Sequence, residues 1–206
     1  MTTQAHGTSI AIVRPGEDSA LREQFRDFRF EEEERDPSLI PDSGVFDPHS
    51  TYIVVLRERR GRSVVIAGCS LIDGATQSQD VTTLTPERTP SPLWYFEVSQ
   101  ILIDSRLRSR AFRDRLMCLI CQCIARYAFL ECTYEDLYCD ATWPFYLQLR
   151  RIFGSELLLS GDVPQKPPVD DRNSRIPVHV HRDSVRKLIE GFEQKRRKLP
   201  SLAHAA

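Results

Sequence analysis

The chain has 206 residues, 41% hydrophobic and 28% charged, with a formal net charge of −1. This balance excludes a disordered or fibrous chain, and the length suits one domain with a substantial core. The near-neutral charge argues against bulk nucleic-acid binding, and no apolar run reaches the roughly 18 residues of a membrane helix.

No basic segment followed by an apolar stretch opens the chain between Met1 and Ile12, so no secretory signal is expected and the expected compartment is the cytoplasm. Six cysteines stand at 69, 118, 121, 123, 132 and 139. Cys118, Cys121 and Cys123 form a C-x-x-C-x-C run, but no second pair or His-x-x-x-His completes a tetrahedral site. They read as reduced, buried thiols on a helix, with no metal expected.

In chain order, Thr8 to Val13 predicts a strand rich in β-branched residues. Leu21, Phe25 and Phe28 recur at helical spacing, predicting a helix from Ser19 to about Glu34 that stops at Asp36-Pro37. Residues 37–50 carry loop composition. Thr51–Leu56 and Val64–Leu71 predict a hairpin closed by a charged turn, Arg57–Arg62. A polar excursion over 73–92 precedes a strand from Leu93 to Ile103.

Phe112, Leu116, Leu119, Ile120, Cys123, Ile124 and Tyr127 hold the 3.6-residue period of a long amphipathic helix. A short strand at Leu137–Cys139, a helix at Phe145–Ile152 ended by Gly154, and strands at Glu156–Leu159 and Ile176–His181 follow. Asp183 is placed to cap a final helix. The expected organisation is a single domain over 1–183, with 184–206 a C-terminal helix and a basic, flexible tail. Strands and helices in this mixed order indicate an α+β fold, with helices on a central sheet. No G-x-G-x-x-G or phosphate-binding loop motif is present.

Three features carry chemistry. Glu97 sits in the apolar strand Trp94-Tyr95-Phe96-Glu97-Val98-Ser99-Gln100. Burial would raise its pKa toward that of a general base, whereas an edge position would leave it facing water. Arg106, Arg108, Arg110, Arg113 and Arg115 cluster at a strand-to-helix junction. Such a cluster suits a phosphate, an acidic partner protein, or simple solvation. Arg26 and Phe30, followed by Asp42 and Asp47, form a set able to clamp a cationic or zwitterionic small molecule, or to serve as helix surface and turn residues. His179 and His181 alternate on a late strand and are expected to pack or face solvent.

The order of these features resembles the acetyltransferase-like (GNAT) N-acyltransferases, and in detail the autoinducer synthases that make acyl-homoserine lactones, with their exosortase-associated relatives. The resemblance rests on Arg26-x-x-x-Phe30, on Phe46-Asp47-Pro48-His49-Ser50-Thr51, on Gly68-Cys69-Ser70-Leu71, on Phe96-Glu97-Val98-Ser99-Gln100, and on Asp140 with Leu149-Arg150-Arg151-Ile152-Phe153-Gly154. It spans roughly residues 20–160. The chain departs from the family pattern at Asp36, Gly44, Ser70 and Gln100, where the family carries a tryptophan, a carboxylate and two arginines.

The resemblance implies a GNAT-like mixed central sheet flanked by helices, and acyl transfer from an acyl-carrier protein or coenzyme A thioester to the amine of S-adenosylmethionine, for quorum-sensing signals. The implied alternatives are another amine acceptor, such as an amino acid, or a non-catalytic binding protein of the same fold. Glu97 and Ser99 are the implied catalytic residues. Arg26, Phe30, Asp47, Gln100, Ile101 and Trp143 would contact substrate. Arg108, Arg110, Arg113 and Arg115 would hold the phosphopantetheine phosphate or the carrier. The thioester and the amine would come as substrates, with no bound cofactor and neither nucleic acid nor membrane as partner.

Overall fold

A computed structural model describes residues 8–36, 39, 47–74, 95–153, 175–186 and 203–204. Asp42, the strand expected at Glu156–Leu159, Gly154, nearly all of the 73–92 excursion and the helix expected after 186 lie outside the described residues. The chain clusters into two compact units. The first draws on Met1–Leu71, Gln100–Ile124 and Glu193–Ala206, the second on Ile72–Ser99 and Ala125–Phe192.

In the first unit, strand β1 (Thr8–Val13) leads to helix α1 (Ser19–Arg35). The Asp18 carboxylate accepts from the Leu21 N–H and satisfies a first-turn donor. Strands β2 (Thr51–Arg59) and β3 (Arg62–Asp73) form the predicted hairpin, with β1 antiparallel to β2. The charged turn shrinks to Arg60 and Gly61, both left-handed, with φ of 51° and 73°. This pair matches the twist of a two-residue hairpin, and the ladder runs on through Arg59 and Arg62. Charge does not end a strand whose side chains reach water.

The core of this unit joins Ala11, Val13, Phe25, Phe28, Tyr52, Val54, Val65 and Leu102. Phe25, on the predicted apolar face of α1, packs over β3 at Gly68. A Cβ there would lie 2.6 Å from the Phe25 ring and 2.8 Å from the Ile53 carbonyl oxygen, so the close approach of helix to sheet requires glycine. At the C-terminal end of the chain, strand β7 (Ala203–His204) pairs in parallel with Ala11 and Ile12.

Strand β4 (Tyr95–Ile103) passes from the second unit into the first, and helix α2 (Arg110–Arg126) passes back. The Ser109 hydroxyl accepts from the Phe112 N–H and caps α2. Leu116, Ile120, Cys123 and Ile124 are buried as their period predicts, while Phe112 and Leu119 are half-buried.

The second unit continues with a π-helical turn (Tyr127–Glu131), β5 (Asp136–Thr142), helix α3 (Trp143–Phe153) and β6 (Arg175–His181). β5 runs parallel to β4 and antiparallel to β6, a mixed sheet. Phe96 stacks between Tyr127 at 5.9 Å and Tyr134 at 4.1 Å, which fastens the π-turn to this sheet. The helix that Asp183 was expected to cap lies beyond the described residues. Asp183 itself lies inside a 3-10 turn (Arg182–Val185), and His181 is the cap, its Nδ1 accepting from the Asp183 N–H at 3.1 Å. Among the described residues no helix is long and apolar enough to cross a membrane.

Candidate functional site

In the second unit the register of three strands lines up the chemistry. Glu97 pairs with Tyr138, and Tyr138 with His179. One step along, Tyr95 pairs with Asp136, and Asp136 with His181. Paired residues share a face, and residues two apart on a strand share it too. Tyr95, Glu97, Asp136, Tyr138, His179 and His181 therefore occupy one face, with Ser99 following Glu97 by alternation. The opposite face carries Phe96, Leu137 and Val180.

The contacts bear this out. The Tyr138 and His179 rings lie flat together, 4.4 Å apart and 3° from parallel, and Tyr95 stands edge-on to Tyr138 at 5.4 Å. His179 Nε2 is 2.5 Å from Asp136 Oδ1. Glu97 is 8% exposed. Burial, then the nearby Glu97 and Asp73 carboxylates, raise the Tyr95 phenol above its ordinary range. Asp73 accepts from the Tyr134 hydroxyl at 2.6 Å. Burial and that bond push the Tyr134 phenol up as well.

Gln100 and Ile101 belong to the part of β4 in the first unit. Gln100 has a φ of 37°, left-handed and unusual for a residue with a Cβ inside a strand. Such a residue is a local irregularity within the strand.

Also in the first unit, Arg26 and Asp47 meet, 3.5 Å apart. Asp47 is already engaged by a residue that sequence reasoning passed over. Arg29, 1% exposed, donates to both carboxylate oxygens at 2.9 and 2.7 Å. Burial opposes ionisation of Asp47, but hydrogen bonds from Arg29 and Tyr52 with the Arg29 and Arg26 charges together hold the carboxyl below its ordinary value. Arg22 donates to the Asp47 and Ser50 carbonyls and covers the Tyr52 ring at 4.3 Å. Phe30 is 50% exposed, with the Arg29 guanidinium 5.6 Å from its ring centre. Arg26 is 52% exposed, so this corner presents cation to solvent.

Arg108, Arg110, Arg113 and Arg115 are exposed on and before the first turns of α2. The preceding turn is fixed by carboxylates. Fully buried Asp104 accepts from the Arg106 N–H and side chain, and Glu32 accepts from the Ser105 N–H. The turn that presents these arginines is therefore held, although each arginine head is solvated.

Trp143, half-buried, packs on Tyr146 at 5.6 Å in the second unit. Cys69, Cys121 and Cys123 are buried, whereas Cys118, Cys132 and Cys139 are partly exposed. Burial, with Cys121 and Cys123 nearby, raises the Cys69 thiol well above its ordinary range, which makes it a poor nucleophile.

His179 packs, as the sequence reading expected, while Asp136 and Tyr138, which share its face, were passed over. The available signal was a pair of i, i+2 repeats, Asp136-x-Tyr138 and His179-x-His181, on two late strands.

No protein-family model matches the chain, and no curated protein matches it in sequence. Solved structures do match in fold. The coenzyme-A-dependent acyl-homoserine lactone synthase BjaI, solved with S-adenosylmethionine and isopentyl-CoA, is similar at a TM-score of 0.61 and 17% identity, over 95% of this chain and 92% of that one. The acyl-homoserine lactone synthase LasI is similar at 0.57 and 18% identity, over 84% and 87%. FeeM, an N-acyl amino acid synthase from uncultured soil microbes, is similar at 0.60 and 15% identity, over 89% and 97%. The chain thus has the α+β acyl-CoA N-acyltransferase fold, a mixed sheet with flanking helices.

Proposed function

We propose that this chain is an N-acyltransferase that moves an acyl group from a thioester to an amine. One observation carries the reading. Glu97 is a buried carboxylate at the middle of a polar face, in a strand that Gln100 kinks three residues later. Attack of an amine on a thioester carbonyl requires a base for the amine proton and an N–H donor for the developing oxyanion. Glu97 takes the amine proton, directly or through a water, with Ser99 beside it on the same face. The backbone N–H at Ile101 polarises the carbonyl. Apolar side chains of α2 and the Trp143 region take the acyl chain.

The donor is an acyl-carrier protein or coenzyme A thioester, its phosphate met by Arg108, Arg110, Arg113 and Arg115. The acceptor is S-adenosylmethionine, as the resemblance implies, bound by Arg26, Phe30 and Gln100 near Asp47. The product then closes to an acyl-homoserine lactone, a quorum-sensing signal made in the cytoplasm.

A second acceptor is favoured by the state of Asp47. Two arginines neutralise its charge, which leaves the corner cationic. Such a corner suits the carboxylate of a plain amino acid better than the sulfonium of S-adenosylmethionine. The test is mass spectrometry of products from the purified chain with acyl-CoA or an acyl-carrier protein, each offered S-adenosylmethionine and a panel of amino acids. A lactone supports the first acceptor, and a linear acyl-amino acid supports the second. No acylated amine from any pairing sinks the reading.

A further inference from the structure

Acylating an amine with a thioester moves two protons. The attacking nitrogen loses one, and the departing sulfur gains one. Glu97 accounts for the first. His179 lies in the same row across β4, β5 and β6, two strands from Glu97, or about 10 Å between backbones at the usual strand spacing.

An ionised carboxylate only accepts hydrogen bonds, so the 2.5 Å contact puts a hydrogen on His179 Nε2, facing Asp136 Oδ1. The carboxylate fixes the ring and leaves Nδ1 as the nitrogen not bonded to Asp136. Tyr138 lies flat on the imidazole and holds its plane. Both side chains of the pair are 19% exposed, so the pair is sheltered but reachable. His181 is committed elsewhere, to the N–H of Asp183.

We propose that His179, positioned by Asp136, is the general acid that protonates the thiolate leaving group. The proposal rests on the acyl-transfer reading. The amine nitrogen attacks, the C–N bond forms, and its proton passes to Glu97. The tetrahedral intermediate collapses, the C–S bond breaks, and sulfur takes the Nδ1 proton of His179. Exchange with water then removes one proton from Glu97 and returns one to His179.

The role predicts a dependence on the leaving group. An alkyl thiolate, as in acyl-CoA, needs the acid, whereas a nitro-substituted aryl thiolate departs without it. The experiment compares kcat/KM for acyl-CoA and for the nitrothiophenyl ester of the same acid, in wild type, His179→Gln, Asp136→Asn and Glu97→Gln. Circular dichroism and thermal melts verify folding.

His179→Gln is expected to lose about a hundredfold or more with acyl-CoA, the scale of a general acid, and no more than about threefold with the aryl ester. Asp136→Asn follows the same pattern more weakly and carries the test if His179→Gln fails to fold. Glu97→Gln loses with both donors. Equal losses for both donors in the His179 and Asp136 variants, or no loss, would overturn the role of His179 alone. A wild-type chain that transfers from neither donor overturns the acyl-transfer reading, and this one with it.

Discussion

Arg29 sets both terminal nitrogens against both carboxylate oxygens of Asp47, at 2.9 and 2.7 Å, across 18 residues of sequence. The guanidinium is fully buried. Paired and bidentate, the two charges are tolerated. Separated, each is a buried charge that has lost its main partner. Arg29→Ala and Asp47→Asn are each expected to cost about 3–5 kcal/mol. Urea melts of the two single variants and the double variant measure this, and the double variant should cost clearly less than the two singles added together.

Acid should unfold the protein through the same groups. Burial works against ionisation of Asp47 and Asp104, but their hydrogen bonds and neighbouring arginines together hold both carboxyls below their ordinary value in the folded chain. The unfolded chain therefore binds protons first as pH falls. The stability from these groups is full above the unfolded aspartate value of about 3.9 and is lost as pH drops through the lower folded values. Urea midpoints between pH 7 and pH 2 should fall in this window, and Asp47→Asn should flatten the fall.

Gly68→Ala should destabilise by about 1–3 kcal/mol, the usual scale of overpacking. The new methyl would press on the Phe25 ring at 2.6 Å and on the Ile53 carbonyl at 2.8 Å. Adding Phe25→Leu relieves only the ring contact, because the carbonyl is backbone. Thermal melts should therefore show partial rescue. Full rescue would mean that the backbone contact costs nothing.

Glu97→Gln keeps the shape of the side chain and removes the base. Acyl transfer is expected to fall by about a hundredfold to ten-thousandfold with the fold intact. Rates set beside melting curves separate the two effects. An active Glu97→Gln enzyme would remove Glu97 from the proton transfer.

Local pattern was legible wherever a single period governed burial. The β-branched run at 8–13, the Leu21–Phe25–Phe28 face of α1 and the long apolar stripe of α2 all form at the positions their spacing predicts. Element ends were less legible. β2 and β3 run past their apolar segments because the turn is set by two left-handed residues and not by charge. The short strand expected at Leu137–Cys139 reaches from Asp136 to Thr142, as pairing with β6 extends it.

By itself, the sequence determined the fold class and most of the described helices and strands, because periodicity is a local property, and it singled out Glu97 as a charged residue in an apolar strand. Only the tertiary structure decided which partner each charge has. Asp47 reads as a free loop carboxylate until helix α1 brings Arg29 against it, and Asp136 and His179 are 43 residues apart until β5 and β6 pair. Strand register is a long-range relation set by how the sheet packs. A slip of one residue would turn His179 to the opposite face, and no composition or spacing along the chain encodes that choice.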